Sequence, residues 1–144
     1  MARVLLDTDI LSEIIKKKDP VVVARAAEYL AVEGRFTVSV LSVMEITYGF
    51  HRLGREDRIA EFSRLIAAHE VLTFEVPIAT LAGRIYADLE RRGTPVGLAD
   101  VMIGAVGLHH SVAIVTGNTS HFTAIREAGY ALEIQNWRSG ATTI

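Results

Sequence analysis

The sequence predicts an α/β domain with a central, mostly parallel sheet of about four to five strands and helices on both faces. Two observations carry this. Short β-type runs alternate along the chain with segments of helical apolar spacing, the order that builds a parallel sheet covered on both sides. The chain has 144 residues, half of them hydrophobic, enough for one core that buries roughly 70% of the unfolded surface without disulfides or a structural metal. No internal repeat or linker interrupts it, so residues 1–138 read as one domain and 139–144 as a tail.

Arg3 to Leu6 is a strand ending in Asp7. Thr8 offers an N-cap to a helix from Asp9 to Lys18. Asp19-Pro20, a cap followed by Pro at the first helical position, opens a second helix to about Val32, with Gly34 as its stop. Phe36 to Val40 is a strand, and Ser42 starts a helix to about Leu53. Gly54 breaks it before Arg55 to His69 resumes helical spacing. Val71 to Phe74 is a strand. Pro77 then begins a long amphipathic helix ending at Arg91-Arg92-Gly93. Gly97 to His110 is small and apolar enough to be a helix buried on most sides. Val112 to Thr116, Thr119 to Ala128 and Ala131 to Ile134 complete the pattern as strand, helix and strand.

Composition excludes several chemistries. Without cysteine there is no disulfide scaffold, thiolate zinc site, iron–sulfur cluster or cysteine nucleophile. Any metal is held by oxygen or nitrogen. The apolar run before Asp7 is too short for a signal peptide or a membrane span, which predicts a cytoplasmic protein with no membrane partner. The 15 Lys and Arg against 17 Asp and Glu give no global attraction to nucleic acid, so such contact needs a local patch.

In an open α/β sheet the functional crevice lies beyond the carboxyl ends of the strands. Asp7 ends the first strand and Asp9 follows it. Glu45 lies one turn into the helix after the second strand, and Asp100 near the start of the buried helix. Each has an ordinary alternative: Ser42-Val43-Met44-Glu45 fits a capping box, Asp7 a turn or cap, and Asp100 a helix-dipole partner. Asp100, however, sits in Gly97-Leu98-Ala99-Asp100-Val101-Met102-Ile103-Gly104-Ala105, where little else compensates a buried charge. Several carboxylates near one crevice point to a cation between them, and a hard divalent ion leaves positions open for phosphate oxygens.

Asp7-Thr8-Asp9, Ser42-x-x-Glu45, Pro95 to Asp100 with Ile103-Gly104-Ala105, and Val115-Thr116-Gly117-Asn118-Thr119-Ser120-His121-Phe122 together resemble the successive motifs of PIN-domain nucleases. The likeness is closest to the VapC-type toxins of toxin–antitoxin modules, and it runs from Arg3 to about Trp137. It implies a metal-dependent endoribonuclease acting on RNA, with Asp7, Glu45 and Asp100 as catalytic acids holding Mg²⁺ or Mn²⁺, Asn118 beside them, and Thr8, Asp9 and Thr116 supporting them. It also implies a small VapB-like antitoxin as partner, and a homodimer. Many family members have Asn at the position of Asp9 and an acid at that of Asn118; the exchange keeps the number of carboxylates.

Other features are weighed beside this. Twelve of the fifteen basic residues are Arg; Arg52, Arg55, Arg91 and Arg92, with Lys16–Lys18, Arg58 and Arg84, are candidates for RNA phosphate contacts or a solvated face. His109-His110 and His121 read as a helix C-terminus and a surface loop rather than a zinc site. A haloacid-dehalogenase-like phosphatase shares the D-x-D strand end, but that family wants Thr or Val at the position of Leu11 and a later Lys, and none follows Lys18. A PIN-like module that only binds nucleic acid or protein is the second alternative.

Overall fold

The computed structural model describes residues 2–138; the expected tail lies outside them. The elements run β1 (Val4–Leu6), α1 (Thr8–Lys16), α2 (Pro20–Glu33), β2 (Thr37–Ser39), α3 (Val40–Arg52), α4 (Glu56–Ile66), β3 (Glu70–Leu72), α5 (Val76–Arg91), α6 (Leu98–His109), β4 (Ala113–Val115), α7 (Thr119–Glu127) and β5 (Ile134–Gln135). The sheet is five-stranded in the order β3-β2-β1-β4-β5, and every pairing is parallel. This is the predicted architecture.

Side chains alternate across the sheet with period two and split the core into two layers. Leu5 and Ile114 face one layer with Ile85, Leu89, Ile103, Phe122 and Ile125 from α5, α6 and α7. Val4, Leu6, Ala113 and Val115 face the other, with Ile10, Val22, Tyr29, Phe50 and Phe62 from α1 to α4. Helix α6 packs closest to its neighbours: a Cβ at Gly104 would come within 2.9 Å of Ile125 Cδ1, and one at Gly107 within 3.0 Å of Ile114 Cγ1. That tight seat fixes the height of Asp100 in the first turn of α6.

Several boundaries differ from expectation for local reasons. The cap of α1 is Asp7, not Thr8: Asp7 Oδ1 accepts from the Thr8 amide at 2.8 Å. Helix α3 begins at Val40, and its cap is Ser39, whose Oγ accepts from the Ser42 amide at 3.4 Å. The capping box expected over Ser42 to Glu45 is therefore absent, because Ser42 already lies inside the helix. Gly54, at φ 70°, takes the left-handed turn between α3 and α4, and α4 ends at Ile66 rather than His69. Strand β3 begins at Glu70, and β5 covers only Ile134–Gln135 because Leu132 turns back onto the Tyr130 carbonyl at 2.8 Å. No helix among the described residues is long and apolar enough to cross a membrane.

Tyr29 ties α2 to the strand that carries Asp7: the Val4 amide donates to Tyr29 Oη at 3.1 Å in the interior. Tyr29→Phe leaves that amide buried and unpaired, and is expected to lower unfolding free energy by about 1–3 kcal/mol in urea titration.

Candidate functional site

Strand β1 sits at the centre of the sheet, and the chain leaves it toward β2 on one side while β4 lies on the other. The crevice between the carboxyl ends of β1 and β4 is thus the topological switch point, where α/β folds place their ligands. Asp7 extends β1 into it, with its amide still donating to the Val115 carbonyl at 2.9 Å.

Asp7 is 2% exposed. Its Oδ1 takes the Thr8 amide, and its Oδ2 accepts from Thr116 Oγ1 at 2.8 Å, itself fully buried. Burial, reinforced by the charges of Asp9 and Asp100 and only partly offset by these hydrogen bonds, pushes the Asp7 carboxyl up to about 8. A nearby cation would favour the ionised form instead.

The other acids converge from separate elements. Thr8 Oγ1 donates to Glu45 Oε1 at 2.7 Å. Its proton being committed there, the Ser42 hydroxyl is the donor across the 2.8 Å contact with Thr8. Glu45 is thus aimed by α1 and not turned back on its own helix. Asp100 is half-buried, and its Oδ2 lies 2.6 Å from His121 Nδ1. Asn118 caps α7 with its carbonyl, which accepts from the His121 amide at 3.2 Å; its own amide donates to Thr116 Oγ1 at 2.8 Å, and its side chain makes no capping bond. Asp7, Thr8, Asp9, Glu45, Asp100 and Asn118 all line one open cleft of about 390 Å³, with Lys16 at its edge and Ile46, Gly49, Phe50 and Leu53 as its apolar wall. Thr116 lies beneath it.

The arginines do not line this cleft. Arg52 and Arg92 are exposed, Arg55 pairs with Asp57 at 2.8 Å and Arg91 with Asp88. Arg91 and Arg92 do lie at the end of α5 that joins, through a short connection, the start of α6 and so Asp100. His109 and His110 lie at the far end of α6, ring against ring at 5.1 Å. His121 is not a surface-loop residue as the sequence suggests: α7 carries it onto Asp100.

The donors suit a hard divalent ion. They are carboxylate oxygens on an open cleft, and the buried one is raised first by its burial and then by the negative charge of Asp9 and Asp100. Among the described residues no three His, Asp or Glu side chains are grouped so as to hold a metal ion by themselves. Mg²⁺ asks less of the protein than such a group, because beside one or two carboxylates it keeps water and takes phosphate oxygens.

Sequence reading missed Arg138 and Glu13. Arg138 pairs with Glu13 and lies 3.5 Å from Asp9 Oδ2. Asp9 and Glu13, spaced i,i+4, share a face of α1, which is the one signal that could have paired them.

An α/β domain with carboxylates gathered at its switch point defines a class of acid-cleft folds. The chain belongs to the PIN-domain family, whose model matches residues 4–127. It is 32% identical over 126 residues to the "tRNA(fMet)-specific endonuclease VapC" of Shigella flexneri, covering 87% of this chain and 93% of that one. Its fold matches the DNA-bound VapBC of Salmonella typhimurium with a TM-score of 0.80 and 30% identity, covering 95% of this chain and 99% of that one. VapBC2 of Rickettsia felis, at 22% identity, shares the fold with a TM-score of 0.79 over 94% and 99% of the two chains. Membership of the PIN family sets aside the phosphatase alternative.

The raised Asp7 carboxyl makes metal-free stability pH-dependent. The unfolded group loses its proton near 3.8 and the folded one near 8, so between these values the folded chain binds more protons. Stability in EDTA is therefore expected to fall as pH rises through that window, and to be lower at about pH 9 than at about pH 5. Asp7→Asn removes most of the difference, as denaturant midpoints at the two pH values would show.

Proposed function

We propose that this chain is a metal-dependent endoribonuclease toxin that hydrolyses RNA phosphodiester bonds and is held inactive by a small VapB-like antitoxin. The observation that carries the reading is the convergence of Asp7, Glu45 and Asp100, from three separate parts of the chain, on one cleft of a PIN domain. These three carboxylates would hold Mg²⁺ or Mn²⁺. When bound, the ion lowers the pKa of a water nucleophile and stabilises charge on the scissile phosphate and the leaving oxygen.

The chain's own contribution is placement. Thr116 and the Thr8 amide fix both oxygens of Asp7. Ser42 and Thr8 form a hydroxyl relay that aims Glu45, and His121 holds Asp100. Partners of this kind orient ligands and tune their affinity. Asn118 lines the cleft, and its carboxamide, unused as a cap, has an oxygen and an NH₂ that suit a water or a phosphate. Lys16 adds positive charge to the rim. Arg52, Arg55, Arg91 and Arg92 serve as phosphate contacts outside the cleft, Arg55 and Arg91 exchanging their surface carboxylates for RNA.

Beside the acids, Met44 and Tyr48 on α3 and Leu53 just after it are exposed at 57%, 62% and 74%. Leu65 on α4 is also exposed, whereas Ile46, Phe50 and Phe62 are core. This apolar margin suits an antitoxin segment that covers the cleft. The relatives solved as VapBC assemblies support that partner. A homodimer acting in the cytoplasm completes the proposal.

The test is cleavage of total RNA and of initiator tRNA by antitoxin-free protein, with Mg²⁺ or Mn²⁺ against EDTA. Discrete fragments with metal and none with EDTA are expected; intact RNA under every condition, with no metal bound, would leave the binding-module alternative. Asp7→Ala and Asp100→Ala are expected to abolish cleavage while the circular dichroism spectrum stays native, and a folded Asp100→Ala chain with full activity would contradict the assignment. Thr8→Val, which frees Glu45 without removing it, is expected to reduce the rate by about 10–100-fold.

A further inference from the structure

Arg138 follows Trp137, which is 4% exposed and packs on Tyr29 at a ring-centroid distance of 5.7 Å. Its amide donates to Asn136 Oδ1 at 2.9 Å, so the backbone is anchored before the side chain leaves. The guanidinium then reaches across the turn between β4 and α7 to pair with Glu13 and Asp9 on α1. It passes so close over Gly117 that a Cβ there would overlap it and stand 2.8 Å from Asp9 Oδ2. Only glycine admits this crossing.

Asp9 is engaged on both oxygens and, unlike Asp7, faces a fixed cation. Its Oδ1 accepts the Ile10 amide at 2.8 Å, its Oδ2 accepts the Gly117 amide at 3.0 Å, and Arg138 faces its charge. Glu13 gives one oxygen to Arg138; the other, Oε2, is buried with no hydrogen-bond partner among the described residues. A guanidinium is always charged, so a second cation approaching these carboxylates meets a fixed positive group. Without that group, two carboxylates one turn apart, one with a spare oxygen, are oxygen donors for a divalent ion.

We propose that Arg138 is a positioning residue that withholds Asp9 and Glu13 from the metal set, so that the cleft takes one divalent ion, on Asp7, Glu45 and Asp100, rather than two. The inference rests on the metal reading above. It makes Arg138 a determinant of metal number, and it ties the turn carrying Asn118 to α1.

The experiment is titration of the full chain with Mn²⁺, counting bound ions from the loss of the free-ion electron paramagnetic resonance signal. The wild-type chain is expected to bind one Mn²⁺ and Arg138→Met two. Adding Asp9→Asn to Arg138→Met is expected to return the count to one, as is the charge-preserving Arg138→Lys. If Arg138→Met does not fold, Gly117→Ala displaces the guanidinium from the other side and is expected to gain the second ion. One ion on both the wild-type and Arg138→Met chains, or two on the wild type, would overturn the role of Arg138 and leave the metal reading standing. No Mn²⁺ on the wild type would overturn the metal reading, and this inference with it.

Discussion

The structure depends on the burial of one carboxylate, that of Asp7, at the centre of a parallel sheet. A charge in that position is costly unless something answers it. The fold answers with two neutral donors, the Thr8 amide and the Thr116 hydroxyl, while Asp9 and Asp100 add to the cost. The balance leaves Asp7 holding a proton well above the usual carboxylate range, a proton that the proposed divalent cation would displace.

Much of the remaining architecture holds that arrangement in place. Layers on both faces keep β1 and β4 straight and adjacent, so that Asp7 and Thr116 meet across a sequence separation of 109 residues. The small residues of α6 let it sit against Ile114 and Ile125 and bring Asp100 to the crevice. Each peripheral acid has its own support: Thr8 and Ser42 for Glu45, His121 for Asp100, Gly117 and Arg138 for Asp9. The supports differ in charge, which separates the acids by role. A hydroxyl or an imidazole orients a carboxylate, whereas a guanidinium also neutralises it.

The fold class and the chain order of its elements were legible in the sequence, because strand runs and helical spacing alternate without interruption. Asp7, Glu45 and Asp100 were legible as candidates, Asp7 by its place at a strand end, Asp100 by its apolar surroundings, and Glu45, which taken alone fits a helix cap, through the resemblance of the successive motifs. Local motifs misled where two patterns overlapped: Ser39 and Ser42 both fit a helix cap, and only the end of β2 decides between them. The role of Thr8 was misplaced for a related reason, since Asp7 can cap the helix and line the site at once. His121 and Arg138 were illegible in kind. Their partners lie 21 and 125 residues away, and no periodicity or spacing encodes contacts made only when the sheet closes.

The most direct test of the account is a crystal structure of the full chain with Mn²⁺, with the ion located by anomalous scattering. The account predicts a peak at ligating distance from Asp7 Oδ and from at least one of Glu45 and Asp100, with Arg138 still over Gly117. A chain that leaves this cleft without anomalous density in saturating Mn²⁺, or binds the ion only at surface carboxylates, would contradict it.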